Sequence, residues 1–224
     1  THNLAGGVVM GLAETEAVLE AAGRHGLKTH LDGARLFNAA TYLGIPASRL
    51  ARGFDSVNIC LSKGLGAPVG SVVCGGPEFI EKARKYRKML GGGWRQAGVL
   101  ASAGLISLMV MTKRLAEDHR TARFLAEGLQ AIPGIELELE RVQTNILFIT
   151  FTPPELNARE VSARLAERGI LTSAGGPVRM RLVTHHQVSR QDAERVLEAF
   201  RDIFEGKPAF VSSGSALPRA SAPY

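Results

Sequence analysis

Apolar residues in the first half of the chain follow helical and strand periodicities in turn. Residues 14–25 have a helical pattern closed by Gly26, and residues 28–32 follow as a short strand. Residues 34–42 return to helical spacing, and residues 56–61 form a second apolar strand. A returning strand over 72–75 and a helix over 77–90 come next. The pattern predicts strands separated by helices.

The second half predicts a smaller α+β domain. Residues 96–130 are helical, with Asp118 among the side chains expected on polar faces. Strands over 145–151, 170–173 and 178–183 then alternate with helices over 158–168 and 189–204, the last capped by Ser189. We place the domain boundary within 115–130, which gives domains of residues 1–120 and 121–205. Residues 206–224 have few large apolar side chains and are predicted to be a disordered tail.

Lys63 stands where the strand over 56–61 ends and a glycine-rich segment begins. A lysine held at a strand end can be desolvated, and desolvation disfavours the ammonium form, so Lys63 is a candidate amine nucleophile. The alternative is an ordinary surface lysine in a loop.

Asp32 ends the preceding strand and lies at the position equivalent to Lys63. In a parallel sheet these are the carboxyl ends of the strands, where open α/β folds bind ligands. A buried carboxylate and an activated amine at one rim suit pyridoxal phosphate (PLP): the amine forms a Schiff base, and the carboxylate keeps the ring nitrogen protonated. Asp32 could instead cap a helix, with Arg35 as its partner one turn later.

Five segments together resemble the low-specificity L-threonine aldolases, which are fold type I PLP enzymes. They are Thr1-His2-Asn3 with Gly6-Gly7, and the runs at 30–35, 60–71, 87–96 and 181–185, which read HLDGAR, CLSKGLGAPVGS, RKMLGGGWRQ and RLVTH. The resemblance covers residues 1 to about 205. It implies part of a large domain with a mainly parallel sheet, followed by a small α+β domain. The opening strands of the family, with a phosphate-binding turn and a ring-stacking histidine, are absent, so the chain is expected to be a fragment.

The resemblance also implies roles for individual residues. Lys63 would carry the cofactor and be the catalytic residue. The other expected cofactor-binding residues are Asp32, Arg35, Ser62, Lys88 and Arg95, and the expected substrate-binding residues are Arg181 and Arg35. The last two would hold the substrate's carboxylate, which a guanidinium can bind with two parallel hydrogen bonds. In the family, the segment of Lys88 and Arg95 reaches the cofactor phosphate of a neighbouring subunit, so a homodimer or homotetramer is expected.

Alternative interpretations of these cations stay open. Arg181 and Arg179 fall on one face of a strand and could both be solubility residues, Lys88 could lie on a solvated helix face, and Arg95 in a loop. Three histidines, His30, His185 and His186, are left without a role.

Composition agrees with a soluble globular enzyme. The net charge of +6 is dispersed and does not form the basic stripe of a nucleic-acid binder. The apolar stretch 99–111 is too short to span a bilayer, and no metal site is expected. Cys60 and Cys74 are predicted to be buried. We expect a cytosolic protein, with a mitochondrial targeting segment upstream left open.

The expected reaction is cleavage of L-threonine, L-allo-threonine and other 3-hydroxy amino acids to glycine and an aldehyde. Two alternatives remain: another fold type I PLP lyase or aminotransferase, and a non-catalytic remnant that keeps only an oligomer surface.

Overall fold

The first sheet has three strands in the order β1-β2-β3. The computed structural model describes residues 6–154, 156–172 and 174–206; the segment Thr1-His2-Asn3 and the tail from 207 onward lie outside them. β1 (His30–Asp32) pairs in parallel with β2 (Ser56–Cys60), and β2 pairs antiparallel with β3 (Ser71–Gly75). The expected parallel arrangement therefore holds for one of the two pairings, since β3 returns through a loop without a crossover helix.

Four helices lie before, between and after the strands of this sheet along the chain. They are α1 (Leu12–Arg24), α2 (Leu36–Leu43), α3 (Ala47–Ala51) and, after β3, α4 (Pro77–Met89). Side chains of α2 and α3 form a small core with Val57 of β2. Cys60 is buried as predicted, but the prediction that Cys74 is buried was wrong, because all of β3 is exposed at the sheet's edge.

The predicted continuous helix over 96–130 is broken. It consists of α5 (Gly98–Met109), a 3-10 helix (Met111–Arg114) and α6 (Leu115–Gln130). By length and composition alone, the stretch Gly98–Gln130 could cross a membrane. However, the twelve residues of α5 rise about 18 Å, short of the roughly 30 Å of a bilayer core. Most of the apolar face of α6 is buried inside the protein.

The second sheet is antiparallel. β4 (Ile135–Glu136), β5 (Ile146–Phe151) and β6 (Arg179–Val183) lie in that order, and α6, α7 (Ala158–Ala166) and α8 (Arg190–Phe204) enclose the main core with them. Ser189 caps α8 in a capping box with Asp192, as expected. The strand predicted over 170–173 was wrong for residues 170–172, which have no strand structure. Whether the chain divides at residue 120 stays a prediction.

Candidate active site

The loop after β2, which carries Lys63, is held in place by hydrogen bonds and apolar contacts. The Leu61 amide donates to the Gly70 carbonyl (2.9 Å), and the Gly66 amide donates to the Lys63 carbonyl (2.9 Å). Leu61, Leu65 and Ala67 are buried against Leu115, so apolar contacts hold both arms of the loop. The Lys63 side chain itself is exposed, which corrects the expectation that it is desolvated.

Asp32 lies at the end of β1 as predicted, but its carboxylate is exposed and not buried. Its Oδ1 accepts hydrogen bonds from the Ala34 amide (3.1 Å) and from the Asn58 side chain (3.5 Å). Gly33 permits this turn, because a Cβ at that position would lie 2.7 Å from the Asn58 carbonyl oxygen. Asp32 does not cap the following helix, whose N-cap residue is Arg35.

A cavity of about 360 Å³ brings three of the predicted residues together. Arg35, Ser62 and Lys63 all line it. The remaining lining residues come from the same loop and from the segments around β5 and β6: Gly64, Gly66, Ala67, Asn145, Val183, His185, His186 and Gln187. Three larger cavities in the described residues, of about 590, 640 and 770 Å³, are lined by neither Lys63 nor Arg35. We therefore take this one as the candidate active site.

Arg35 and Arg181 lie close enough to repel each other. Burial, and to a lesser extent the positive charge of Arg181, lowers the pKa of Arg35. Arg181 is partly buried and lines the neighbouring cavity beside Val183, which borders both cavities. Two guanidinium groups held near each other form a site for an anion, which relieves their repulsion.

Alternation along β6 separates its arginines from its apolar residues as predicted. Met180 and Leu182 are buried in the core, so Arg179 and Arg181 lie on the other face. Phe148 of β5 stands opposite Arg181 in the strand register, and the Arg179 guanidinium stacks over its ring at 3.9 Å. Arg179 is thus held by an aromatic contact on the surface, whereas Arg181 lies nearer the site.

The remaining predicted cations do not reach this cavity in the chain described. Lys88 lies in the last turn of α4, Arg95 follows that helix, and both are exposed. Within the described residues, neither lines the cavity of Lys63. Their expected role toward a neighbouring subunit stays a prediction.

Sequence reasoning missed the polar side chains behind the cavity. Asp118 was expected on a polar face but is 1% exposed. Burial raises its pKa, while the charges of Arg114, His185 and His186 oppose that shift. Asp118 is three residues after Leu115 and four before Ala122, which places it on the buried face of α6. This spacing in the sequence could have predicted that Asp118 is buried. Asn38, His119 and Asn145 form a second polar group that hydrogen bonds join together.

Of the histidines without a role, two reach the cavity. His185 and His186 form part of its lining, and the ring of His186 lies 3.1 Å from where a Cβ on Gly66 would stand. Gly66 has a positive φ of 72° as well, so only glycine suits this position. His30 lies elsewhere and hydrogen-bonds the Ser56 hydroxyl at 2.8 Å.

The fold is that of the fold type I PLP-dependent enzymes. A candidate L-allo-threonine aldolase from Listeria monocytogenes superposes with a TM-score of 0.74 at 21% identity, covering 88% of this chain and 58% of that one. A PLP-dependent aminotransferase from Streptococcus suis superposes with a TM-score of 0.69 at 16% identity, covering 92% and 56%. At these identities the superpositions show the fold alone.

Sequence comparison identifies the family. The family model described as beta-eliminating lyase matches residues 1–152, and the chain belongs to that family. Low-specificity L-threonine aldolase 1 of Arabidopsis thaliana is 46% identical over 202 residues, covering 90% of this chain and 56% of that protein. The low specificity L-threonine aldolase of Escherichia coli K12 is 39% identical over 201 residues, covering 90% and 57%. The resemblance inferred from the sequence motifs is confirmed, and the chain spans about half the length of these relatives.

Proposed function

We propose that the full-length protein containing this chain is a PLP-dependent lyase that cleaves 3-hydroxy amino acids, L-threonine and L-allo-threonine among them, to glycine and an aldehyde. The observation that supports this most directly is the cavity shared by Lys63, Ser62 and Arg35, with the charge of Arg181 close to Arg35. The names of the similar proteins point to the same substrate class.

The residues present fit PLP by their chemistry. Lys63 offers an exposed amine for a covalent link to the cofactor's aldehyde. The Ser62 hydroxyl beside it can hydrogen-bond a phosphate. Asp32 is an exposed carboxylate at the end of the neighbouring strand and would hold the ring nitrogen in its protonated form. When bound, PLP holds the substrate's amine and accepts the electron pair released as the Cα–Cβ bond breaks.

The two arginines would orient the substrate. A carboxylate between Arg35 and Arg181 neutralises two like charges at once, and the planar guanidinium of Arg181 can bind both of its oxygens. Once the carboxylate is fixed, the orientation of the substrate's Cα relative to the cofactor ring determines which of the bonds at Cα breaks. Lys63 would anchor the cofactor between turnovers, and His185 and His186 would limit the space left for the side chain of the substrate.

An aminotransferase is the alternative that the fold itself permits, since one superposes well on this chain. A product assay on the purified full-length protein with PLP separates the two. Incubation with L-threonine should yield equal amounts of glycine and acetaldehyde without any amino acceptor. Formation of a 2-oxo acid that depends on an added acceptor would support the aminotransferase. If neither the aldolase products nor a 2-oxo acid formed, a non-catalytic remnant would be favoured.

We also propose that the protein assembles as a homodimer or homotetramer in the cytosol. Large apolar side chains of α5 are exposed, Val99 by 78% and Met109 by 63%, and a second subunit would cover them. The two cysteines are free thiols, which favours a reducing compartment. Light scattering of the full-length protein tests the assembly, and its distribution between cell fractions tests the compartment.

A further inference from the structure

A chain of largely buried hydrogen bonds runs beside the cavity and joins α2 and α6 to the segments next to β5 and β6. The Asn38 amide of α2 donates to His119 Nε2 of α6 (3.0 Å) and to Asn145 Oδ1 before β5 (3.4 Å). Asn145 donates in turn to the Thr184 carbonyl after β6 (2.7 Å). The Thr184 hydroxyl donates to the Asp118 carbonyl (2.7 Å), which closes the path back to α6. Asn38, Asn145 and Thr184 are all at most 3% exposed.

The direction of these bonds leaves one arrangement of the amides. Asn38 has two amide hydrogens, and each finds an acceptor. This requires an unprotonated Nε2 on His119, and burial lowers the pKa of His119 to about 4, so the ring is neutral at neutral pH. A flipped amide would set an N–H of Asn145 against an N–H of Asn38. Buried groups left unpaired in this way are costly, so the network specifies one geometry.

Both ends of the network lead to the proposed substrate site. Asn38 lies one turn after Arg35 in α2, so holding its side chain fixes that helix against α6. Thr184 directly follows β6, which carries Arg181, and directly precedes His185 of the cavity wall. Asn145 lines the cavity itself. Elements from the two halves of the chain are therefore tied together behind the two arginines.

We propose that His119 is a positioning residue: acting through the amides of Asn38 and Asn145, it fixes the spacing of Arg35 and Arg181 and so the site for the substrate's carboxylate. His119 does not line the cavity, so its effect is indirect. The inference rests on the proposed function. It goes beyond that function by assigning an effect on carboxylate affinity to His119, a residue that does not line the cavity.

The test replaces His119 in the full-length protein loaded with PLP. His119→Leu removes the acceptor, and His119→Gln restores one through its amide oxygen. His25→Leu is the matched control, because His25 is exposed at the end of α1. We expect His119→Leu to raise KM for L-threonine and Kd for glycine roughly tenfold, with kcat much less changed, and His119→Gln to recover most of the loss. Glycine affinity is measured by the change in cofactor absorption.

A merely structural role for His119 would lower the melting temperature and leave KM and glycine affinity as in the wild type, and that result overturns the proposal. If His119→Leu does not fold, Asn38→Leu replaces it, because leucine has a similar shape and removes the amide that donates to both His119 and Asn145. The same rise in KM and Kd is expected, and unchanged values overturn the proposal. A wild-type protein that binds glycine but does not cleave threonine would refute the proposed function alone, since glycine affinity still tests the network.

Discussion

Acidification should destabilise the folded protein through His119. Burial lowers the pKa of this side chain from 6.5 to about 4 in the folded state. Between those values the unfolded chain binds a proton that the folded chain does not. The stability present above pH 6.5 is therefore lost as the pH falls toward 4. Taking the pH from about 7.5 to about 5 should cost about 2 kcal/mol of the free energy of unfolding from this group alone.

The assay compares urea unfolding of the full-length protein and its His119→Gln variant at both pH values. Glutamine keeps a hydrogen-bond acceptor and does not titrate, so every other titrating group contributes equally to both proteins. The difference in unfolding free energy between wild type and variant should shift by about 2 kcal/mol in favour of the variant at the lower pH. A His25→Gln control should follow the wild type. Parallel pH profiles for wild type and His119→Gln would refute the assignment of a partly buried, neutral His119.

Three further predictions concern the proposed active site. Lys63→Ala should abolish the absorption band of covalently bound PLP and lower turnover by orders of magnitude, and normal threonine cleavage by this variant would contradict its role. Arg181→Lys keeps the charge but loses the planar fork. The fall in kcat/KM should correspond to a loss of roughly 2–3 kcal/mol of transition-state stabilisation, whereas kcat/KM of Arg179→Lys should stay near the wild-type value. Equal effects of the two substitutions would contradict the distinction between these arginines. Mixed dimers of Lys63→Ala and Arg95→Ala subunits should regain activity if Arg95 serves its neighbour's site, and proven exchange without recovery would place Arg95 in its own subunit's site or outside the chemistry.

The sequence was enough to predict the elements that carry the site. Strand ends and glycine turns are local features, so the strand that ends at Asp32 and the strand that ends shortly before Lys63 were correctly predicted, and they are adjacent and parallel. Alternation likewise put Arg181 on the correct face of β6. The burial of these groups was not predictable, because exposure depends on which segments pack over a strand end, and that is not a local property.

The hydrogen-bond network beside the cavity was the main feature that could not be predicted from the sequence. Asn38, Asn145 and Thr184 are far apart in sequence, and each alone is typical of a turn or a helix cap. Only the packing of α2 against α6 brings them together, as the contact between Asn38 and His119 shows. The break between α5 and α6 escaped prediction for a related reason: an apolar helical pattern continues through it without a proline or glycine.

Helix α6 belongs to two hydrophobic cores. At its start, Leu115 packs with Leu61 and Leu65 under the Lys63 loop, and further along, Leu125 and Leu129 lie in the core of the second sheet. Loss of packing at either end removes support for the same rod-like element. The two halves should therefore unfold as one cooperative unit. A substitution in the core of the second sheet, far from Lys63, should also destabilise the loop that carries Lys63.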